Sequence, residues 1–341
     1  MPRYLVFADL QATEGREMCH HNPQLPLQRW RVDKFLTELD ELCAIHKIDG
    51  LIDLGDTSDD RTDIPMPTLS QLARLAHDSR GAIKLIGNHE QYHRDQSVHT
   101  GELFHLWNVV HSRATYKLGG CYVIAAAYTD DYKDLSNWLE VTIARAPKDM
   151  PIVILGHWDV VGAKMTSGQS LYGVPKAVLE KATVTLLGHI HKPQVLGQSI
   201  YYVGSPFQQD FGEAGEEKRI GLLELENSEV SLSWIPLNNF PHYYACSLTE
   251  FEHHFDCHAE SRFIVELKSP AELAKFNALQ HKHLATKKLL YGESLAMDAK
   301  VKVNSMSVNA NELLTSYVKR QPLTGVETGE LVAVGLELFG I

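Results

Sequence analysis

Five short segments carry residue types suited to metal-centred chemistry. Asp9 ends the apolar run YLVFAD, Asp56 sits in LIDLGD, Asn88 and His89 in LIGNHE, His157 in VILGHW, and His189 and His191 in LLGHIH. Each follows an apolar run of strand length, so the polar groups are expected together at the carboxyl ends of buried strands. Carboxylate, amide and imidazole converging in one place suit hard or borderline cations, and that many ligands would serve two of them. A glycine before a polar residue ordinarily just marks a turn. The specific signal is the ordered recurrence of D, GD, GNHE, GH and GHIH.

A carboxylate can offer one oxygen to each of two cations, which makes Asp56 the expected bridge. Asp9 and His191 would complete one metal, and Asn88, His157 and His189 the other. A hydroxide held between cations about 4 Å apart would be the nucleophile, with the cations neutralising charge that builds on phosphorus. His89 need not touch metal. From a strand end it can face the leaving-group oxygen and donate a proton. Such a histidine is usually oriented by a carboxylate; in GDTSDDR, Asp59 is the first candidate and Asp60 the second. Arg61 in the same loop is a candidate substrate contact, to a phosphate. The competing reading of this stretch is a solvated acidic loop.

These residues need a scaffold. Val32, Phe35, Leu36, Leu39, Leu42 and Cys43 recur at helical spacing, and Leu69, Leu72, Ala73 and Ala76 repeat the pattern before IKLIGNHE. YVIAAAY, PIVILGHW, VTLLGH, IYYVGSP, IGLLELE and VSLSWI read as strands. An early βαβα half followed by a strand-rich half predicts an α/β fold: a two-sheet sandwich with helices outside. PLNNFPHYYACSL, around 236–248, reads as a linker. The expected domains are therefore 1–240, carrying the site, and 241–341, a small α+β cap. In the cap, FIVELKS would be a strand, and AELAKFNALQHKHLA and NANELLTSYVKRQ helices.

With 341 residues and 44% apolar content the chain can bury a sizeable core. Five scattered cysteines without CxxC spacing indicate neither a disulfide framework nor a zinc ribbon, and a reducing cytoplasm fits best. The apolar run of MPRYLVFADL is too short for a signal-peptide core, and no later stretch reaches membrane-spanning length, so no membrane association is expected. A net charge of −11 argues against a broadly basic, nucleic-acid-coating surface. It does not argue against a cleft in which two cations supply the positive charge. His20, His21, His46, His77, His99, His105, His253, His254, His258, His281 and His283 lack a comparable context and read as surface or core-edge residues.

The ordered motifs resemble those of the calcineurin-like metallophosphoesterase superfamily over roughly residues 4–237. That resemblance implies a two-sheet sandwich flanked by helices. The stretch GHIHKPQVLGQSIYYVGSPFQQDFGEAGEEKRIGLLELE further resembles the SbcD branch, with Tyr202, Gly204, Ser205, Pro206, Asp210, Phe211, Gly212, Glu213, Gly215, Glu216 and Lys218 at its signature positions. The branch implies a DNA nuclease subunit of recombination and repair that works with an SMC-like, SbcC-type ATPase, in bacteria or their phages. Exonuclease activity is expected, endonuclease activity in addition, and a homodimer. The cap would help hold DNA, and the charged hairpin is expected to be exposed.

One position departs from the family pattern. The usual Asp-x-His is here Asp9-Leu10-Gln11, so a neutral amide stands where a histidine ligand would be. A glutamine carbonyl oxygen suits manganese or magnesium better than zinc, and manganese is the first expectation; the alternative is that Gln11 only hydrogen-bonds nearby. A stand-alone metallophosphatase or cyclic-nucleotide phosphodiesterase would share every ligand. A noncatalytic DNA-binding or regulatory subunit, degraded at Gln11, is the reading from another class. In NANELLTSYVKRQPL, Leu313, Leu314, Tyr317 and Val318 lie at helical spacing and offer either an ATPase docking stripe or part of the cap's own core.

Overall fold

In a computed structural model, which describes residues 2–92, 98–165, 168, 172–226, 229–253, 258–279 and 282–290, the apolar runs are strands that sort into two sheets. Strands β1 (Arg3–Phe7), β2 (Gly50–Asp53), β3 (Gly81–Leu85) and β4 (Asn108–Val110) run parallel. The second sheet is built from β5 (Arg113–Leu118), β6 (Cys121–Ala126), β7 (Ile152–His157), β8 (Val184–Gly188), β9 (Gln194–Leu196) and β10 (Ile200–Tyr202), in the order β5-β6-β7-β8-β10-β9. The chain then returns to the first sheet. Strands β11 (Arg219–Glu226) and β12 (Glu229–Pro236) add antiparallel to the free edge of β1, giving β12-β11-β1-β2-β3-β4.

The period-two alternation of a strand explains the layering. In β1, Leu5 and Phe7 face outward to a core with Phe35, Leu39 and Leu72, whereas Tyr4 and Val6 face inward to Val123, Leu155 and Leu186 of the opposite sheet. Strands buried on both faces read as continuous apolar runs rather than alternating ones. Helices α1 (Leu27–His46) and α2 (Met66–Ala76) contribute to the core outside the first sheet, and α3 (Tyr132–Arg145) and α4 (Lys176–Leu179) to that outside the second. This is the helix-flanked sandwich that the sequence predicts. The buried face of α2 is rotated from expectation: Leu72 and Ala76 are buried as predicted, but Thr68 and Leu75 take the central places and Leu69 and Ala73 are half-buried.

The segment expected to be a linker is packed structure instead. Phe240 is buried and stacks on Phe207 at 5.3 Å, and Tyr243–Ser247 forms strand β13, parallel to β14 (Arg262–Leu267). The prolines and asparagines mark only the approach to this strand. With β15 (Ala285–Leu289) these make a three-stranded sheet, accompanied by α5 (Leu248–His253) and α6 (Pro270–Ala278). The first compact unit comprises Met1–Glu266 and Phe276–Lys287, and every contact argued below lies within it. The predicted helix over NANELLTSYVKRQ and the stripe Leu313, Leu314, Tyr317 and Val318 fall outside the described residues.

Candidate metal centre

The strand ends do converge. Asp9 follows β1, Asp56 follows β2, Asn88 follows β3, His157 closes β7, and His189 and His191 follow β8. Beyond the sheet the first two loops stay zipped, with Asp9 N donating to Gly55 O at 2.9 Å, Gln11 N to Asp56 O at 3.0 Å and Ala12 N to Thr57 O at 2.7 Å. Asp9, Gln11, Asp56 and His189 adopt φ of 54°, 52°, 53° and 87°. Each such non-glycine residue costs about 1–3 kcal/mol and persists only where its surroundings over-determine it, as functional sites do. The glycines have specific work. A Cβ on Gly87 would stand 2.0 Å from Asp56 Oδ1, and Gly55, at φ 109°, would put one 2.6 Å from His157 Nδ1.

Three lone-pair donors meet at one point: Asn88 Oδ1 lies 2.8 Å from His189 Nδ1 and 3.3 Å from His157 Nε2. His157 Nδ1 is 2.8 Å from Leu54 O, which leaves Nε2 to face the site, 3.2 Å from Asp56 Oδ2. Ligand atoms of Asp56, His157 and His189 all fall within 4.8 Å of one another, close enough to hold one ion. On the other side, buried Asp9 accepts from His189 N at 3.0 and 3.1 Å, and Gln11 Nε2 is 3.4 Å from Asp56 Oδ2. His191 Nδ1 is 2.8 Å from Glu213 Oε1, which turns Nε2 away from that contact. This oxygen- and imidazole-rich set fits divalent cations.

Electrostatics show the same demand for positive charge. Burial raises the Asp9 pKa above the usual carboxylate range. Burial also works against Asp56 ionising, but His157 and His89 outweigh it and hold Asp56 well below that range. Burial opposes the His157 imidazolium too, yet the Asp56 carboxylate lifts its pKa to about 9.

His89 stands apart. Its backbone N–H donates to Asp56 Oδ1 at 2.8 Å, and its Nδ1 is 2.9 Å from Asp59 Oδ1, a pair that raises the His89 pKa despite partial burial. Asp60, the second candidate for that role, instead accepts from Thr13 Oγ1 at 2.9 Å. His89, Asp59, Gln11 and His191 line a cleft of about 370 Å³. Exposed Arg61 lines a different cleft, of about 280 Å³, with Asn88, Gln91, Tyr92 and Tyr128.

Several supporting residues escape a reading by motif. Glu90 caps both metal loops, accepting from Asp56 N at 3.1 Å, Gly87 N at 3.0 Å and Thr57 N at 3.3 Å. Its charge is met by buried Lys84 at 2.6 Å, which also reaches Asp53 at 3.1 Å. Asp159 lies 3.3 Å from His189 Nε2 and accepts from Tyr132 OH at 2.8 Å. Glu213 and Lys218 correct the expectation of an exposed hairpin. They are 4% and 2% exposed and paired at 2.7 Å, and Lys218 also donates to His191 O at 2.9 Å. Only the Glu of GNHE and the signature residues after GHIH gave any sequence signal, and neither told what they touch.

Burial opposes ionisation of Glu213, but His191 and Lys218 hold its pKa down at about 2, so it stays a carboxylate and an acceptor for His191. Glu213→Ala is expected to weaken metal binding about 10- to 100-fold, the usual effect of losing a partner that orients a ligand histidine. Glu213→Gln keeps an acceptor oxygen and should retain most of the affinity. Calorimetric titration with manganese measures both.

The family model for calcineurin-like phosphoesterases matches residues 2–193, and the chain belongs to that family. It is a metal-dependent phosphoesterase, a hydrolase, and family membership implies two divalent ions. Among solved structures it is similar to a dimetal phosphatase from Danio rerio, at 12% identity and a TM-score of 0.44 over 68% of this chain and 95% of that one. A search of curated proteins gave no match. Among the described residues, no helix is long and apolar enough to cross a membrane.

Proposed function

We propose that the protein is a manganese-using phosphodiesterase acting on DNA, the nuclease subunit of an SbcD-type pair whose partner is an SMC-like ATPase. One observation carries the diester reading: two separate clefts reach the centre, one lined by His89 and His191 and the other by Asn88 and Arg61. A phosphomonoester needs room for one substituent, a diester within a chain for two. The signature residues Glu213 and Lys218, packed behind His191, support the SbcD branch.

Asp9, Asp56, Asn88, His157, His189 and His191 would hold the two ions, with the carbonyl oxygen of Gln11 as a further donor. When bound, the ions acidify water and neutralise charge developing on phosphorus. His89, whose ring pairs with Asp59 and lines the larger cleft, would donate a proton to the leaving oxygen. Arg61, in the other cleft, would contact a phosphate of the chain. Deciding the substrate takes purified protein with manganese or magnesium on linear duplex DNA, single strands and bis-p-nitrophenyl phosphate, with and without a candidate ATPase. Cleavage of the small diester without cleavage of either DNA sinks the nuclease reading.

Gln11 gives a sharper prediction. An amide oxygen is a weaker donor than imidazole, so the Asp9-side ion should be loosely held and activity should saturate with manganese late, in two steps. Gln11→His should lower the manganese needed for half-maximal rate by about tenfold or more. A titration of both proteins on one oligonucleotide reads the midpoint. No change would assign Gln11 to its hydrogen bond with Asp56 alone.

A further inference from the structure

The larger cleft continues from the centre to a buried arginine. Gln28, in the first turn of α1, donates from Nε2 to Gln11 O at 2.9 Å and to Gln209 Oε1 at 2.8 Å, which ties that turn to the Asp9–Gln11 loop. Arg31 follows three residues later, about 4.5 Å along the helix and on the same face. Gln28 and Arg31 both line the cleft with His89 and His191.

Arg31 is 1% exposed, but among the described residues it pairs with no carboxylate. Its Nη1 makes one long hydrogen bond to Tyr243 OH at 3.3 Å, and Nε and Nη2 have no partner among the described residues. The guanidinium otherwise packs on the rings of Tyr243 and Phe207, 4.9 and 5.9 Å from their centroids. A buried guanidinium with unpartnered N–H groups is costly, and its planar fork matches the oxygens of a phosphate. Ring contacts hold the plane without using those donors.

We infer that Arg31 forms an anion subsite in the cleft, taking a phosphate of the substrate chain next to the scissile group. The inference rests on the DNA reading and names how that substrate is gripped. The shared chemistry is a phosphate anion, carried by a nucleic acid or free in solution.

The test compares kcat/KM, with manganese, for an oligonucleotide and for the same oligonucleotide with an uncharged methylphosphonate beside the scissile phosphate. Charged hydrogen bonds of this kind correspond to roughly tenfold or more in binding. Wild type should prefer the charged substrate by about that factor, Arg31→Met should lose the preference, and Arg31→Lys should keep part of it. Arg31→Lys retains the buried charge and still reads the subsite should Arg31→Met fail to fold. A preference that survives in Arg31→Met, or that wild type lacks, overturns the inference for DNA. If wild type cuts bis-p-nitrophenyl phosphate but no DNA, the DNA reading has failed, and the subsite is read from inorganic pyrophosphate in EDTA. A rise in wild-type melting temperature that Arg31→Met or Arg31→Lys diminishes assigns it to a free phosphate anion, and no such difference overturns it.

Discussion

Asp56→Asn and His89→Ala should both stop phosphodiester cleavage, by different routes. Asp56 is buried where two loops meet, and its carboxylate faces His157 Nε2 at 3.2 Å and the backbone of His89 at 2.8 Å. Removing its charge takes the negative group from the middle of the ligand set, so metal occupancy should fall with activity. Among the described residues, His89 bonds to the site through its backbone N–H to Asp56, and its ring pairs with Asp59. Its loss should lower the rate about 10²- to 10⁴-fold, the usual worth of a positioned general acid, and leave both ions bound. Metal counting on the two purified variants decides the matter. Equal loss of metal would place His89 among the ligands or their direct supports, and the division of roles would be wrong.

The sequence made the convergence of the candidate ligands legible because each sits at a place where the local rule changes, from apolar strand to glycine to polar side chain. Asp9, Asp56, Asn88, His157, His189 and His191 come together because parallel strands send their carboxyl ends to the same edge of each sheet, and sheet packing brings the two edges together. The same patterning gave the helix-flanked sandwich. It could not give the return of β11 to pair with β1, since the partners Leu5 and Leu222 are distant in sequence and either sheet could have taken that strand. Nor could it say that Lys218 is buried, because a lysine in a glycine-rich, acidic stretch looks solvated until Glu213, Glu216 and the His191 carbonyl are seen around it. Asp159, just after GHW, carried no pattern of its own. Its contact with His189 exists only in three dimensions.

Lys84→Met should be the most destabilising change near the centre. The Lys84 ammonium is fully buried between Glu90 Oε1 at 2.6 Å, Asp53 Oδ2 at 3.1 Å and Thr57 Oγ1 at 2.5 Å. Burial disfavours its charge, but the two carboxylates override that and raise its pKa. Taking the cation away leaves two acidic groups without compensation, and breaking a buried pair in this way costs about 3–5 kcal/mol. The damage should reach the site, because Glu90 holds the amides of Asp56, Thr57 and Gly87. Burial already raises the Glu90 pKa from 4.5, with Lys84 pulling it back down. Without Lys84 it should rise further, so the folded variant binds a proton more tightly than the unfolded chain does. Stability of Lys84→Met is then greatest below the ordinary glutamate value and falls as pH rises through the raised one. Adding Glu90→Gln removes one stranded charge and should recover part of the loss at neutral pH while flattening the pH dependence. Urea unfolding of the metal-stripped proteins at several pH values measures these effects. A loss under about 1 kcal/mol, or a double variant no more stable than Lys84→Met alone, would mean that Thr57 and the loop amides satisfy Glu90 without the lysine.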